Sequence, residues 1–238
     1  MTTSNLLTYG NPKTLKGESV GYMTFGLHLA PADLSGHQTC PKASAGCRAA
    51  CLNKAGRGGM FRKGECTNVI QEARIRKTKM FFEQRDWFMA LLVAEIDKAI
   101  RWAEKRNLIP CVRLNLTSDL PWEKIRVGNH RNIMAMFPNV QFYDYTAIPG
   151  RKVPSNYHLT FSAKENNSQD IMSALLERVN VAMVFSGGLP TRWGPLGTPV
   201  VNGDEHDLRF TDPRGVIVGL KAKGPAKKDT SGFVRPGL

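Results

Sequence analysis

Apolar positions along this chain fall into two alternating patterns. Short, near-continuous apolar runs recur at residues 21–29 (GYMTFGLHL), 109–116 (IPCVRLNL), 139–146 (NVQFYDYT), 157–163 (YHLTFSA) and 180–187 (NVAMVFSG), with shorter ones at 198–202 and 215–220. Runs of that length bounded by turn residues predict strands covered on both faces. Between them lie helical patterns. Thr67 or Asn68 is placed to cap a helix reaching about Gln84, and Asp86 to cap a second. In that second helix Phe88, Leu91, Leu92, Ile96, Ala99 and Ile100 fall on one stripe. A short helix is expected over residues 131–136, and another over 169–178 behind a Ser168 cap. Residues 1–19 and 224–238 are polar or rich in Gly, Pro and Lys and are expected to be a loose arm and a loose tail on a single domain.

Strands alternating with helices predict α/β architecture with parallel pairing through right-handed crossovers. The number of units suits a (β/α) barrel-like domain, complete or partial, and the alternative is an open doubly wound sheet. In either fold, function gathers where strand C-termini run into loops. These ends are polar: Asn115 to Asp119, Asp144 to Thr146, Ser162 to Glu165, Ser186 to Gly188, and Asn202 to Asp204. A pocket built there would draw on Asn115, Ser118, Ser162, Lys164, Ser186 and Asp207, with Asp119, Asp144 and Asp204 as acid/base or anchoring carboxylates. Singly, each is better read as a helix cap; five such ends in succession at one rim are what point to a pocket.

The 238 residues carry a formal net charge of +13, with 42% hydrophobic and 22% charged residues. This is the composition of a globular chain suited to a polyanionic or small anionic partner, nucleic acid included. The densest basic stretches, residues 74–79 and 221–228, lack interleaved aromatics for base stacking. No apolar run is long enough to span a bilayer, and no secretory leader is evident, so a reducing cytoplasm is the expected compartment.

Cysteine placement sharpens the picture. Three of five cysteines lie in CPKASAGCRAAC, at Cys40, Cys47 and Cys51, inside a long glycine-rich loop after the first strand. Thiolates select zinc or iron–sulfur clusters. The x6 and x3 intervals lack the paired spacing of a zinc finger, even with His37 added, so zinc is the alternative and a 4Fe–4S cluster on three thiolates the leading expectation. Cys66 is the candidate fourth ligand, near a helix start that would favour its thiolate. Cys111 sits among apolar residues and reads as core. Arg48, Arg57 and Arg62 are candidates for compensating cluster charge or gripping a ligand anion. Other motifs are weak. Ser186-Gly187-Gly188 lacks the residues of a P-loop, no G-x-S-x-G turn occurs, and His28, His130, His158 and His206 lack metal spacing. The acidic GDEHD turn at 203–207 is a cation or ribose grip or a solvated turn.

Long ordered blocks, among them NLLTYGNPKTLKG, CPKASAGCRAACLNKAGRG, RIRKTKMFF and VRLNLTSDLPWE, resemble the phage-encoded gene product 88 family over nearly the whole chain. That resemblance implies a phage protein working in a bacterial cytoplasm and implies no reaction. A three-cysteine loop after the first strand of a (β/α) barrel also resembles the radical S-adenosylmethionine enzymes. There the three cysteines hold the cluster and its open iron binds S-adenosylmethionine. This chain departs from their C-x3-C-x2-C spacing and carries Thr117-Ser118-Asp119 where their glycine-rich element follows the second strand. The expected functions are a cluster-dependent enzyme, a nucleic-acid-binding protein with a structural metal, or a cluster-bearing sensor or electron carrier.

Overall fold

The computed structural model of the chain describes residues 5–61, 64 and 66–238. The elements in order are β1 (Leu7–Thr8), α1 (Pro12–Leu15), β2 (Tyr22–Leu27), α2 (Ala45–Ala49), α3 (Val69–Glu83), α4 (Arg85–Glu104), β3 (Ile109–Arg113), α5 (Ile133–Met136), β4 (Gln141–Thr146), β5 (Tyr157–Ser162), α6 (Ser168–Leu176), β6 (Val181–Ser186), β7 (Arg192–Trp193), β8 (Thr198–Asn202), β9 (Ile217–Lys221) and β10 (Val234–Pro236). Short 3-10 turns link several of them.

All ten strands join one sheet in the order β1-β2-β3-β4-β5-β6-β9-β8-β7, with β10 added to β6. From β2 through β8 the pairings are parallel, while β1 and β7 lie antiparallel at the two ends. The sheet is therefore open. Among the described residues a complete barrel does not form, and the strand order is compatible with the open-sheet alternative.

Helix starts follow local chemistry. The Asn68 side chain accepts from Ile70 N at 3.1 Å and Gln71 N at 3.0 Å, which caps α3 as expected. The second cap differs: α4 begins at Arg85 behind Gln84, with no side-chain cap, and Asp86 lies in its first turn. Arg85 Nε instead donates to Phe81 O at 2.6 Å, satisfying a carbonyl at the end of α3. Ser168 is likewise the first residue of α6 and not its cap. Phe88, Met89, Leu92, Ile96, Ala99 and Ala103 of α4 are buried against Met23, Phe25, Val112 and Phe142 of the sheet. A second apolar cluster packs α6 on β5, β6 and β9 through Ile171, Leu175, Phe161, Val181, Phe185 and Ile217.

The opposite sheet face is covered by α1 and by residues 203–213, where Leu208 and Phe210 pack on Cys111, Tyr143 and Tyr22. Cys111 is thus core, as its setting predicted. Glycine is required at Gly26 of β2, where a Cβ would run into the Leu116 side chain.

Neither described end hangs loose. Leu6 is buried, and the Leu6 and Leu7 amides each donate to the Glu95 carboxylate at 2.7 Å. At the other end, β10 pairs parallel with β6 at Val184 to Ser186, beyond the two residues that β6 pairs with β5. It fills the gap left where those strands diverge, and Arg235 anchors it by donating to Lys164 O at 2.8 Å.

Candidate functional site

The cysteine loop lies over the C-terminal ends of the parallel strands. Its first anchor is Thr39, whose hydroxyl donates to Ala30 O at 2.6 Å, just beyond β2. Thr39 O accepts from Asp119 N at 2.8 Å, which ties the same residue to the exit of β3. Cys40 follows directly, its Sγ 3.9 Å from Thr117 O. The second anchor is Glu165, past the end of β5. It accepts from Ser44 Oγ at 2.7 Å and from Gly46 N at 2.9 Å. Ser44 Oγ in turn accepts from Cys47 N at 3.2 Å, so the cap of α2, the helix that carries Cys47, is held from the sheet. Gly46 must be glycine, because a Cβ there would meet the Glu165 carboxylate and Ser231. The third anchor is Asn53, whose amide donates to Cys51 Sγ at 3.5 Å and whose Oδ1 accepts from Arg74 of α3 at 2.5 Å.

The three thiols stand within electrostatic reach of one another. Burial pushes the Cys47 thiol up to about 12, and Cys51 and Cys40 add to the rise. Burial also raises Cys40 and Cys51. The opposing pull comes from hydrogen bonds and cations: Ala32 and Thr39 on Cys40, Lys164 on Cys47, and the Asn53 amide, then Arg74 and Lys54, on Cys51. Burial and mutual repulsion therefore keep the thiols protonated, and a bound cation would reverse that. As folded here, no three His, Cys, Asp or Glu side chains among the described residues are drawn together closely enough to hold a metal ion.

Beside the loop is a cleft of about 420 Å³ walled by Pro41, Lys42, Ser44, Lys164, Asn166 and Asp170. Lys164 is buried, and its Nζ donates to Lys42 O at 2.6 Å. Cys66 is exposed in a separate cleft with Arg57, Thr67, Asn68 and Glu72, and does not figure among the charges acting on the other thiols. Arg57 is exposed at that second cleft, and Arg62 lies outside the described residues. Arg48 is exposed and pairs with Asp33 at 2.9 Å.

The polar strand ends are largely turned on the protein itself. Asn115 is a buried hub: its Oδ1 accepts from Ser118 Oγ at 2.8 Å, Leu120 N at 2.9 Å and Trp122 Nε1 at 3.1 Å. Asp119 accepts from Ala147 N at 2.8 Å and pairs with Arg151 at 3.4 Å; burial raises its carboxyl. Asp144 is fully enclosed, accepting from Asn115 N at 2.9 Å, Leu114 N at 3.2 Å and Tyr157 Oη at 3.0 Å, and burial lifts it to about 6 despite Arg113. Asp207 is buried against Arg113 at 2.7 Å and Lys13 at 3.2 Å. Asp204 holds Lys223 at 2.6 Å and Lys221 N at 2.9 Å, which leaves its turn engaged with lysines. Ser162 is half-buried with its carbonyl accepting from Asn167, and Ser186 is exposed beside Arg235.

Sequence reasoning passed over Thr39, Glu165 and Asn53 as organisers of the loop, since the partners that fix them, Asp119, Ser44 and Arg74, are distant in the chain, by 121 positions for Glu165 and Ser44 and by 21 for Asn53 and Arg74. The basic stretch at 74–79 is not one free cationic face. Lys77 is buried, its Nζ donating to Leu6 O at 2.8 Å, and burial brings it down to about 8. Arg74 turns toward Cys51.

No described helix is long and apolar enough to cross a membrane. A family model described as Gene product 88 matches residues 5–237. No curated protein and no solved structure matches the chain.

Proposed function

The chain belongs to the gene product 88 family, and from that footing we propose that it is a phage iron–sulfur protein whose Cys40, Cys47 and Cys51 carry a 4Fe–4S cluster at the C-terminal edge of the sheet. The observation that carries this reading is that three thiols of one loop sit on separately anchored turns. Cys47 feels the charge of Cys40 and Cys51, Cys40 feels that of Cys51, and the cations Arg74, Lys54 and Lys164 bear on Cys51 and Cys47. Cations around a thiolate set suit the negative charge of a ligated cluster. Binding would draw the sulfurs inward from the positions they hold here, with Cys47 on the five-residue helix α2.

Three protein thiolates leave one iron for another ligand, either Cys66 after a movement of its segment or a small molecule. The adjoining cleft favours a cluster-dependent enzyme over a bare electron carrier, acting in the host cytoplasm on a small polar substrate. When bound, the cluster would supply redox or Lewis-acid chemistry; the chain itself orients the loop through Thr39, Ser44 and Glu165.

The test is anaerobic purification with iron, sulfide and zinc analysis and a visible spectrum, for the wild type and for Cys40→Ala, Cys47→Ala and Cys51→Ala. A brown protein with about four irons and matching sulfide, lost in each variant, is the expected result. One zinc and no colour would replace the cluster by a structural metal and bring nucleic-acid binding forward. A change in the spectrum of the reduced protein on adding S-adenosylmethionine would extend the likeness to that enzyme class.

A further inference from the structure

The sheet face away from α3 and α4 carries polar groups that the fold leaves unanswered. Strand alternation sets Gly26 and Arg113 side by side on it, and it sets Tyr145 beside Thr160. His28, two residues past Gly26, continues the same side. Arg113 packs its guanidinium 5.0 Å from the Tyr145 ring centre. Arg74 reaches the same region from α3, and the charges of Arg74, Lys77 and Arg113 all bear on His28. Thr160 is completely buried and Arg113 nearly so. Yet His28 Nδ1, Arg74 Nε, Arg113 Nε, Tyr145 Oη and Thr160 Oγ1 are all enclosed without a hydrogen-bond partner among the described residues.

Buried polar atoms are almost always satisfied by protein, water or ligand, and four of these five belong to neighbouring strand positions on one face, with Arg74 of α3 bearing on His28. Arginine nitrogens can only donate, and the hydroxyls can donate as well. Two guanidiniums, two hydroxyls and an imidazole kept neutral by burial and by its cationic neighbours form a donor-rich surface. Asp207 and Asp144 take up part of the Arg113 charge, but neither reaches Arg74.

We propose that this face, from His28 and Arg74 across Arg113 to Tyr145 and Thr160, is a binding site for a small oxyanion, a carboxylate or phosphate group of a metabolite-sized molecule. The charge of Arg74 bears on both His28 and Cys51, and its guanidinium donates to Asn53 of the cysteine loop, so the bound group would sit near that loop. The site does not depend on a cluster. Its donors belong to strands and to α3, and none is a thiol.

The experiment is titration calorimetry on the full chain with inorganic phosphate and, separately, with succinate, at matched ionic strength, for the wild type, Tyr145→Phe and Thr160→Val. Both substitutions remove only an unpartnered hydroxyl or keep the side-chain shape, so the fold is expected to survive; thermal unfolding without probe checks this. Saturable binding of either probe, weakened about tenfold or more in each variant, is the expected result, since a hydrogen bond to a charged group is worth that much. The better probe tells which oxyanion the site takes. No saturable binding of either probe, or binding unchanged in both variants, overturns the proposal. Cys47→Ser should leave the titration as it is, which separates this site from the metal reading.

Discussion

A buried polar side chain is expensive unless something answers it, and most of the chain's strand-end polar residues are answered by backbone. Asn115 and Asp144 together accept from six main-chain or side-chain donors across two strand exits. Residues of this type at the ends of strands look the same in sequence whether they face a ligand or hold a loop. Histidine gives a sharper, testable case. His158 is held down to about 4 by burial and by the charges on Arg209 and Arg214. Below its ordinary value of about 6.5 the unfolded chain takes up a proton that the folded chain refuses. The resulting stability is fully present above pH 6.5 and is lost as pH falls toward 4, at no more than about 1.4 kcal/mol per pH unit. His158→Gln should therefore lose less stability than the wild type between pH 7 and pH 5 in urea unfolding. An equal loss in the two proteins would show that His158 titrates normally.

At the scale of elements, the long helices were the most legible. The stripe at Phe88, Leu92, Ile96 and Ala99 is buried as its period required, while Leu91 and Ile100 flank it half-buried. The Asn68 cap was readable because capping is a matter of one residue and the two or three after it. The structure adds that Asn68 Nδ2 also donates to Gly58 O at 3.1 Å and Met60 O at 2.9 Å, so one side chain joins α3 to the end of the cysteine loop. Asn68→Ala should cost about 1–2 kcal/mol by chemical denaturation; no change would mean that water replaces the cap. Strands were located well and their faces were not. Residues 141–146 and 157–162 were expected as apolar runs covered on both sides. Instead, Tyr145, His158 and Thr160 put a polar period of two on the face lacking α3 and α4. That alternation was present in YDYT and HLTF, but a partly buried polar face and a solvated one have the same period.

For the whole molecule, the decisive features are the open sheet and the use of both termini. A polar, glycine-rich tail read as loose becomes β10 because a gap between β5 and β6 offers unpaired backbone. Removing residues 232–238 should expose the upper part of β6 on that side. We expect a melting temperature roughly 5–10 °C lower and a greater tendency to aggregate, seen in thermal scans with light scattering. An unchanged melting temperature would make β10 a passive attachment.

The sequence by itself determined the alternation of strands and helices, the α3 cap, the buried stripe of α4 and the clustering of Cys40, Cys47 and Cys51. These depend on residues close in the chain, where period and spacing report burial and proximity directly. Only the tertiary structure decided that the sheet stays open, that β10 docks on β6, that Glu165 and Thr39 hold the cysteine loop, and that Arg113, Tyr145 and Thr160 come to share one face of the sheet. Those depend on which strands become neighbours and on how they diverge, and a residue's own pattern says that it is buried without saying against what.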